Sequence, residues 1–202
     1  HLTSLKNRHY LNENYVKWQA NKIYPQAIIV ININKVGHIN DVYGHEEGDM
    51  VIRKAANILI NNQLEQSDIV RTNGDEFLIY MVGYEETKVI TYMRRLYKEF
   101  KNLPYKFGAS LGYSMILDDV KTIDDAINEA VLEIKNKKDH DLETLKRLYD
   151  TTYSADAKKY NLFNAIADPA ILDNLSGRRI LSESIVSSSD TPFAQFVKAI
   201  NA

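Results

Sequence analysis

Two adjacent carboxylates, Asp75 and Glu76, follow a glycine in the run Asn73-Gly74-Asp75-Glu76-Phe77, between stretches that both read as β-strands. Ile69 to Arg71 leads in, and Phe77-Leu78-Ile79-Tyr80-Met81-Val82 leads out. Asn and Gly tolerate left-handed backbone geometry, so the spacing predicts a tight hairpin turning on Asn73 and Gly74. A hairpin tip holds the two carboxylates in a fixed relation, able to bind a divalent cation and polarise a nucleophile, as phosphoryl transfer requires. An acidic tip is also, and more commonly, a solvated turn, and the pair alone leaves both readings open.

A second cluster, His38-Ile39-Asn40-Asp41-Val42-Tyr43-Gly44-His45-Glu46-Glu47-Gly48-Asp49, lies between a long apolar strand and a helical stretch. Its two glycines permit sharp bends, and its Asn and Asp side chains offer both donors and acceptors, so it reads as a base-reading loop. Asn40 can pair with one edge of a purine. Asp49, an acceptor, suits the N–H and amino donors of guanine and would repel the ring-nitrogen acceptor of adenine. The competing reading is that Gly44 to Asp49 turns the chain and caps a helix, where an Asp stabilises by about 1 kcal/mol.

The elements that must position these clusters follow from periodicity. Leu11, Tyr15 and Trp18 space like one face of a first helix ending before Pro25. Ala27-Ile28-Ile29-Val30-Ile31-Asn32-Ile33-Asn34 is a continuous apolar run turning polar at its end, the pattern of a central strand buried on both faces whose tip reaches a site. Val51, Ile52, Ala55, Ile58 and Leu59 recur at helical spacing; so do Val89, Met93, Leu96 and Phe100; Lys106 to Ile116 reads as a strand. Thr122 with Asp125 three positions on forms a capping-box pattern before the helical face Ile123, Ala126, Ile127, Ala130, Val131 and Ile134. The order predicts an α/β (α+β) fold of ferredoxin-like or palm type, with a central antiparallel or mixed sheet flanked by helices. Residues 1–138 form this domain. Residues 139–202 read as a helical C-terminal extension: a helix through Leu142, Leu145 and Leu148, another from Ala155 to Ala167, a break at Pro169, a serine-rich loop from Ser182 to Ser189, and a short helix opened by Thr191-Pro192.

Composition bounds the function. A chain of 202 residues with 45% hydrophobic and 26% charged residues can bury a real core, and a net charge of −2 argues against a general nucleic-acid binder while leaving room for a single nucleotide. No apolar run approaches the roughly 18 residues that span a bilayer, and residues 1–6 are no signal peptide, so no membrane contact is expected from this piece. The absence of cysteine excludes disulfides and thiolate metal sites and is compatible with the cytoplasm.

Together the clusters resemble the GGDEF family, the diguanylate cyclase domains that condense two GTP molecules into cyclic di-GMP. Leu2-Thr3-Ser4-Leu5-Lys6-Asn7-Arg8 is similar to the family's opening Leu-Thr-Gly-Leu-x-Asn-Arg; Asn40-Asp41-x-Tyr43-Gly44-His45-x-x-Gly48-Asp49 matches its nucleotide loop at every fixed position; Ser110-Leu111-Gly112 matches its later Ser-Ile-Gly strand. The similarity covers approximately Leu2 to Lys138. It implies that Asn40 and Asp49 read guanine, that the backbone N–H groups of Val36 and Gly37 cradle phosphates together with Gly74, and that Lys138 approaches the terminal phosphate. It also implies that Asp75 ligates Mg²⁺ or Mn²⁺, that Glu76 helps to activate the ribose hydroxyl, and that two copies pair transiently, each presenting one GTP.

The departures from the family pattern concentrate where the chemistry would occur. The family strand ends Asp-x-Asp-x-Phe-Lys, its first Asp holding metal; here the stretch is Asn32-Ile33-Asn34-Lys35-Val36-Gly37, so both carboxylates are amides and Asn32 offers a weakened ligand. Asn73 replaces the first Gly of the signature, the Arg expected four positions after Lys138 aligns with Leu142, and Leu64-Glu65-Gln66-Ser67-Asp68 lacks the Arg of the product-inhibition motif. The expectation is a GTP-binding signalling domain with weak or absent synthesis, its C-terminal helices offering a surface to a protein partner. The alternatives are an active cyclase and an interaction scaffold without nucleotide.

Overall fold

The computed structural model describes residue 3 and residues 5–153 of the chain. The helices and loop expected between Ala155 and Ile200 lie outside the described residues. Contacts divide the chain into two compact units, residues 1–134 and 135–202.

The first unit is built on a four-stranded sheet. In chain order the elements of the described residues are α1 (Arg8–Ala20), β1 (Gln26–Ile33), α2 (Val36–Tyr43), α3 (His45–Asn61), β2 (Ser67–Asn73), β3 (Glu76–Val82), α4 (Glu86–Phe100), β4 (Ala109–Ile116) and α5 (Ile123–Tyr153), with a 3₁₀ turn at Pro104–Lys106. The strands lie in the order β2-β3-β1-β4 and every neighbouring pair is antiparallel, the ferredoxin-like arrangement with no parallel member. Because β1 is central, both of its faces are covered, which is why it reads as an unbroken apolar run. Ile29, Ile31 and Ile33 face a core shared with Val51, Ile52 and Leu59 of α3 and Val89, Leu96 and Phe100 of α4. Ile28 and Val30 face the other way, onto Leu11 and Trp18 of α1 and Ile123, Ala126, Ala130 and Ile134 of α5. Each fully buried side chain of this kind stabilises the fold by about 1.5–3 kcal/mol over an exposed one.

Local chemistry sets the helix ends. The Asn7 side chain accepts from the N–H groups of His9 (3.1 Å) and Tyr10 (3.3 Å), starting α1. Thr122 and Asp125 form the expected reciprocal box: Thr122 N–H donates to Asp125 Oδ2 at 3.1 Å and Asp125 N–H donates to Thr122 Oγ1 at 3.0 Å. α5 does not end near Lys138 but continues through Leu142, Leu145 and Leu148 as one helix. It lies so close to β4 that a Cβ on Gly112 would stand 2.1 Å from the Ala130 carbonyl oxygen, which makes glycine necessary there. The Asp68 carboxylate ties α1 to β2 by accepting from Trp18 Nε1 (3.1 Å), Tyr10 Oη (3.2 Å) and Lys6 Nζ (3.4 Å).

Candidate active site

The carboxylate pair sits where expected, at the β2–β3 turn, but the turn is held differently from the expectation. Neither Asn73 nor Gly74 has a positive φ. Register slips between Arg71 and Asn73, Asn73 pairs with Glu76, and Gly74 and Asp75 form the turn between them. Three hydrogen bonds fix this geometry in place of left-handed residues. Arg71 Nη2 donates to the Gly74 carbonyl at 2.7 Å, the Ile33 N–H donates to the Asp75 carbonyl at 2.8 Å, and Thr72 Oγ1 donates to Glu76 Oε1 at 2.7 Å. The buried Thr72 hydroxyl thus holds the Glu76 carboxylate, a role for which sequence spacing alone carries no signal. Gly74 is exposed, and a Cβ there would meet nothing within 4 Å, so the described residues leave the space above the turn open.

Asn32 stands opposite Glu76 on one side and Ser110 on the other, so these three residues form a row across β3, β1 and β4. Directly opposed residues share a face. By the alternation of β1 it is the face covered by α1 and α5. Asn34, two residues on, does something else. Its Nδ2 donates to the Phe107 carbonyl at 3.0 Å, its Oδ1 accepts from Ser110 Oγ at 2.9 Å, and its N–H donates to the Gly108 carbonyl at 3.0 Å. An amide uses both of its functions here; a carboxylate would face the Phe107 carbonyl with no proton to donate.

The stretch read as a base-reading loop is two helices meeting at Gly44, whose φ of 96° suits glycine alone. Asn40 lies on α2 and Asp49, exposed, on α3. Asn40 Oδ1 is buried and has no hydrogen-bond partner among the described residues. A Cβ on Gly48 would fall 1.7 Å from that oxygen, so glycine is what lets the Asn40 amide lie against α3. An unsatisfied buried amide oxygen costs about 1–3 kcal/mol, and such an orphan marks a place where a ligand donor would be welcome. Val36 and Gly37 occupy the first turn of α2, where backbone N–H groups have no partner four residues back and the helix dipole favours anions. Lys35, with φ of 61°, precedes them and directs the chain from β1 into this helix. Lys138 lies on α5 in the second unit.

Beside the elbow, Tyr105 stacks on Tyr43 with ring centroids 4.5 Å apart, and its hydroxyl donates to Glu47 Oε2 at 2.8 Å. That bond to a carboxylate raises the phenol above its ordinary range. Among the described residues, no three His, Cys, Asp or Glu side chains come together as a metal-ligand group. The donors available to a divalent cation at the turn are the Asp75 and Glu76 carboxylates and the Asn32 amide oxygen, a poorer set than one with a carboxylate at position 32. No helix of the described residues is long and apolar enough to cross a membrane.

Known proteins resemble this chain. The family model "Diguanylate cyclase, GGDEF domain" matches residues 1–142. The diguanylate cyclase DosC of Escherichia coli (strain K12) is 30% identical over 98 residues, covering 47% of this chain and 21% of that protein. The diguanylate cyclase DgcS of Shewanella oneidensis is 31% identical over 85 residues, covering 41% of this chain and 29% of that protein. The chain therefore spans well under a third of the length of these curated relatives. Among solved structures, a sensory box/GGDEF family protein from Caulobacter crescentus CB15 superposes with a TM-score of 0.59 at 25% identity, covering 69% of this chain and 96% of that one. The coiled coil and GGDEF domain of DgcB from Caulobacter crescentus, in complex with c-di-GMP, shares the fold with a TM-score of 0.63 at 18% identity, covering 69% and 79%. With the match extending over the sheet, the elbow and the acidic turn alike, the chain belongs to the GGDEF family of diguanylate cyclase domains.

Proposed function

We propose that this domain binds a guanine nucleotide, GTP, and makes cyclic di-GMP weakly or not at all. Members of the family bind GTP and cyclic di-GMP and normally use a divalent metal. The observation that carries the binding half of the proposal is the orphaned Asn40 Oδ1, held against Gly48. It would accept from the amino or ring N–H of guanine, with Asp49 as a second acceptor on the neighbouring helix. The phosphates would then lie over the first turn of α2, at Val36 and Gly37, and toward Gly74.

Asn32 supports the other half. An amide oxygen ligates Mg²⁺ or Mn²⁺ without charge, so the donor set fits a cyclase metal centre poorly. One observation favours retained activity as a second reading: Glu76 is present and accepts from Thr72 Oγ1 at 2.7 Å, and it would take a proton from a ribose 3′-hydroxyl. In that reading two copies pair transiently, each presenting one GTP, with Asp75 holding the cation. In either reading the residues beyond 138 offer a surface to a protein partner. Calorimetry with GTP, ATP and cyclic di-GMP tests the proposal: equal binding of ATP and GTP removes the guanine roles of Asn40 and Asp49. Sustained release of pyrophosphate and cyclic di-GMP from GTP with Mg²⁺ or Mn²⁺ reverses the preference between the two readings.

A further inference from the structure

We propose that Tyr105 is a positioning residue for the nucleotide base: it clamps the elbow between α2 and α3 and so sets the separation of Asn40 from Asp49. The inference rests on the reading of that elbow as the base site. Tyr105 touches both arms, through its ring on Tyr43, the last residue of α2, and through its hydroxyl on Glu47 in the first turn of α3. Between these contacts stands Gly44, where an added Cβ would meet nothing within 4 Å, so the Tyr105 contacts add to the packing of Asn40 on Gly48 in setting the angle. Asn40 lies three residues before Tyr43, on the same side of α2. Asp49 follows Glu47 by two residues. Opening the elbow would draw Asn40 off Gly48 and change its distance from Asp49.

The clamp is held against a backbone cost. Tyr105 (φ 69°) and Lys106 (φ 60°) are consecutive non-glycine residues in the left-handed region, which side-chain-bearing residues rarely occupy. Such strain persists only where surrounding contacts over-determine it. The contacts are the two to the elbow, the Asn34 bonds to the Phe107 and Gly108 carbonyls at 3.0 Å each, and the edge-on packing of Phe107 with His38 at 5.8 Å. Asn34 immediately follows β1, so the clamp is anchored on the strand that carries Asn32. The strained segment thereby joins the base side of the site to its acidic side.

The test is calorimetry of the full chain with GTP and with ATP, alongside thermal unfolding, for the wild type, Tyr105→Phe and Tyr105→Asn. Phe keeps the stack and loses the bond to Glu47; Asn tolerates the left-handed region and loses both contacts. Tyr105→Phe is expected to weaken GTP binding about fivefold, the effect of one hydrogen bond. Tyr105→Asn is expected to weaken it further and to narrow the preference for GTP over ATP, a change of preference that a loss of stability alone would not produce. A lowered melting temperature with an unchanged GTP-to-ATP preference would mark Tyr105 as structural and overturn the inference. Wild type that binds GTP while both variants match its affinity and preference overturns the clamp alone. Wild type that binds no GTP overturns the base site and the clamp with it.

Discussion

Restoring a carboxylate at position 32 is the sharpest perturbation of the acidic end. Asn32 lies directly opposite Glu76, and side chains so paired have Cβ atoms about 4.5–5.5 Å apart. Two unit charges about 5 Å apart at an effective dielectric near 20 repel by roughly 3 kcal/mol. Both residues are half-buried, so water and counter-ions reduce this to about 1 kcal/mol. Without metal, Asn32→Asp should therefore melt a few degrees below the wild type. A dication about 4 Å from the new carboxylate gains roughly 8 kcal/mol before desolvation, and even a quarter of that is more than tenfold in affinity. The assay is a Mn²⁺ titration by calorimetry, paired with melting curves with and without Mn²⁺. Mn²⁺ should bind the variant at least tenfold more tightly and restore its melting temperature. A variant as stable as the wild type without metal, and no tighter for Mn²⁺, would refute the placement of Asn32 beside the acidic turn.

Three further outcomes follow from the geometry. Asn34→Asp should bind Mn²⁺ no better than the wild type and lose about 1–3 kcal/mol of stability in denaturant unfolding, because the Phe107 carbonyl loses its donor. Gly48→Ala should abolish measurable GTP binding in calorimetry with little change in melting temperature, since the atom in the way is the end of the Asn40 side chain, which can swing aside at the expense of the base contact. Lys121 and Ser114 both donate to Glu129 and hold its carboxyl below its ordinary 4.5. A lowered folded-state value means stability that is fully present above about 4.5 and is lost as pH falls through the folded value, so wild type and Glu129→Gln should differ in melting temperature near pH 7 and converge in acid.

Much of the fold could be read from the residues because their local preferences agree with the final packing. The unbroken run in β1 announces burial on both faces, and Thr122 with Asp125 announces the start of α5. The reading failed where tertiary contacts outweigh propensity. Val36 to Tyr43 contains Gly37, Asn40 and Asp41, which favour turns, yet it is helical because it buries Ile39 completely and packs against α3. The expected strand from Lys106 begins only at Ala109, since Tyr105 and Lys106 take left-handed geometry that neither residue type advertises. At the acidic turn the carboxylate pair was legible, but the device that fixes it was not: Arg71 and Thr72 act through bonds that depend on the register slip beside them. The amide at position 34 looked like the same loss as that at position 32. Only its bonds to Phe107 and Ser110 distinguish a structural amide from a vacated ligand position.

The short segment before α1 has a bearing on the colloidal behaviour of the chain. β2 is an edge of the sheet, and an edge strand with open N–H and C=O groups is a template for pairing with another molecule. Lys6 occupies part of that template: it bridges in parallel to Val70, and the Arg71 N–H donates to its carbonyl at 2.7 Å. Its ammonium is held by Tyr10 and Asp68, which anchors the guard as well as placing a cation at the edge. Removing the residues ahead of Asn7 would bare the ladder beside Ile69 and Val70, and the domain would then meet its own copies edge to edge in solution.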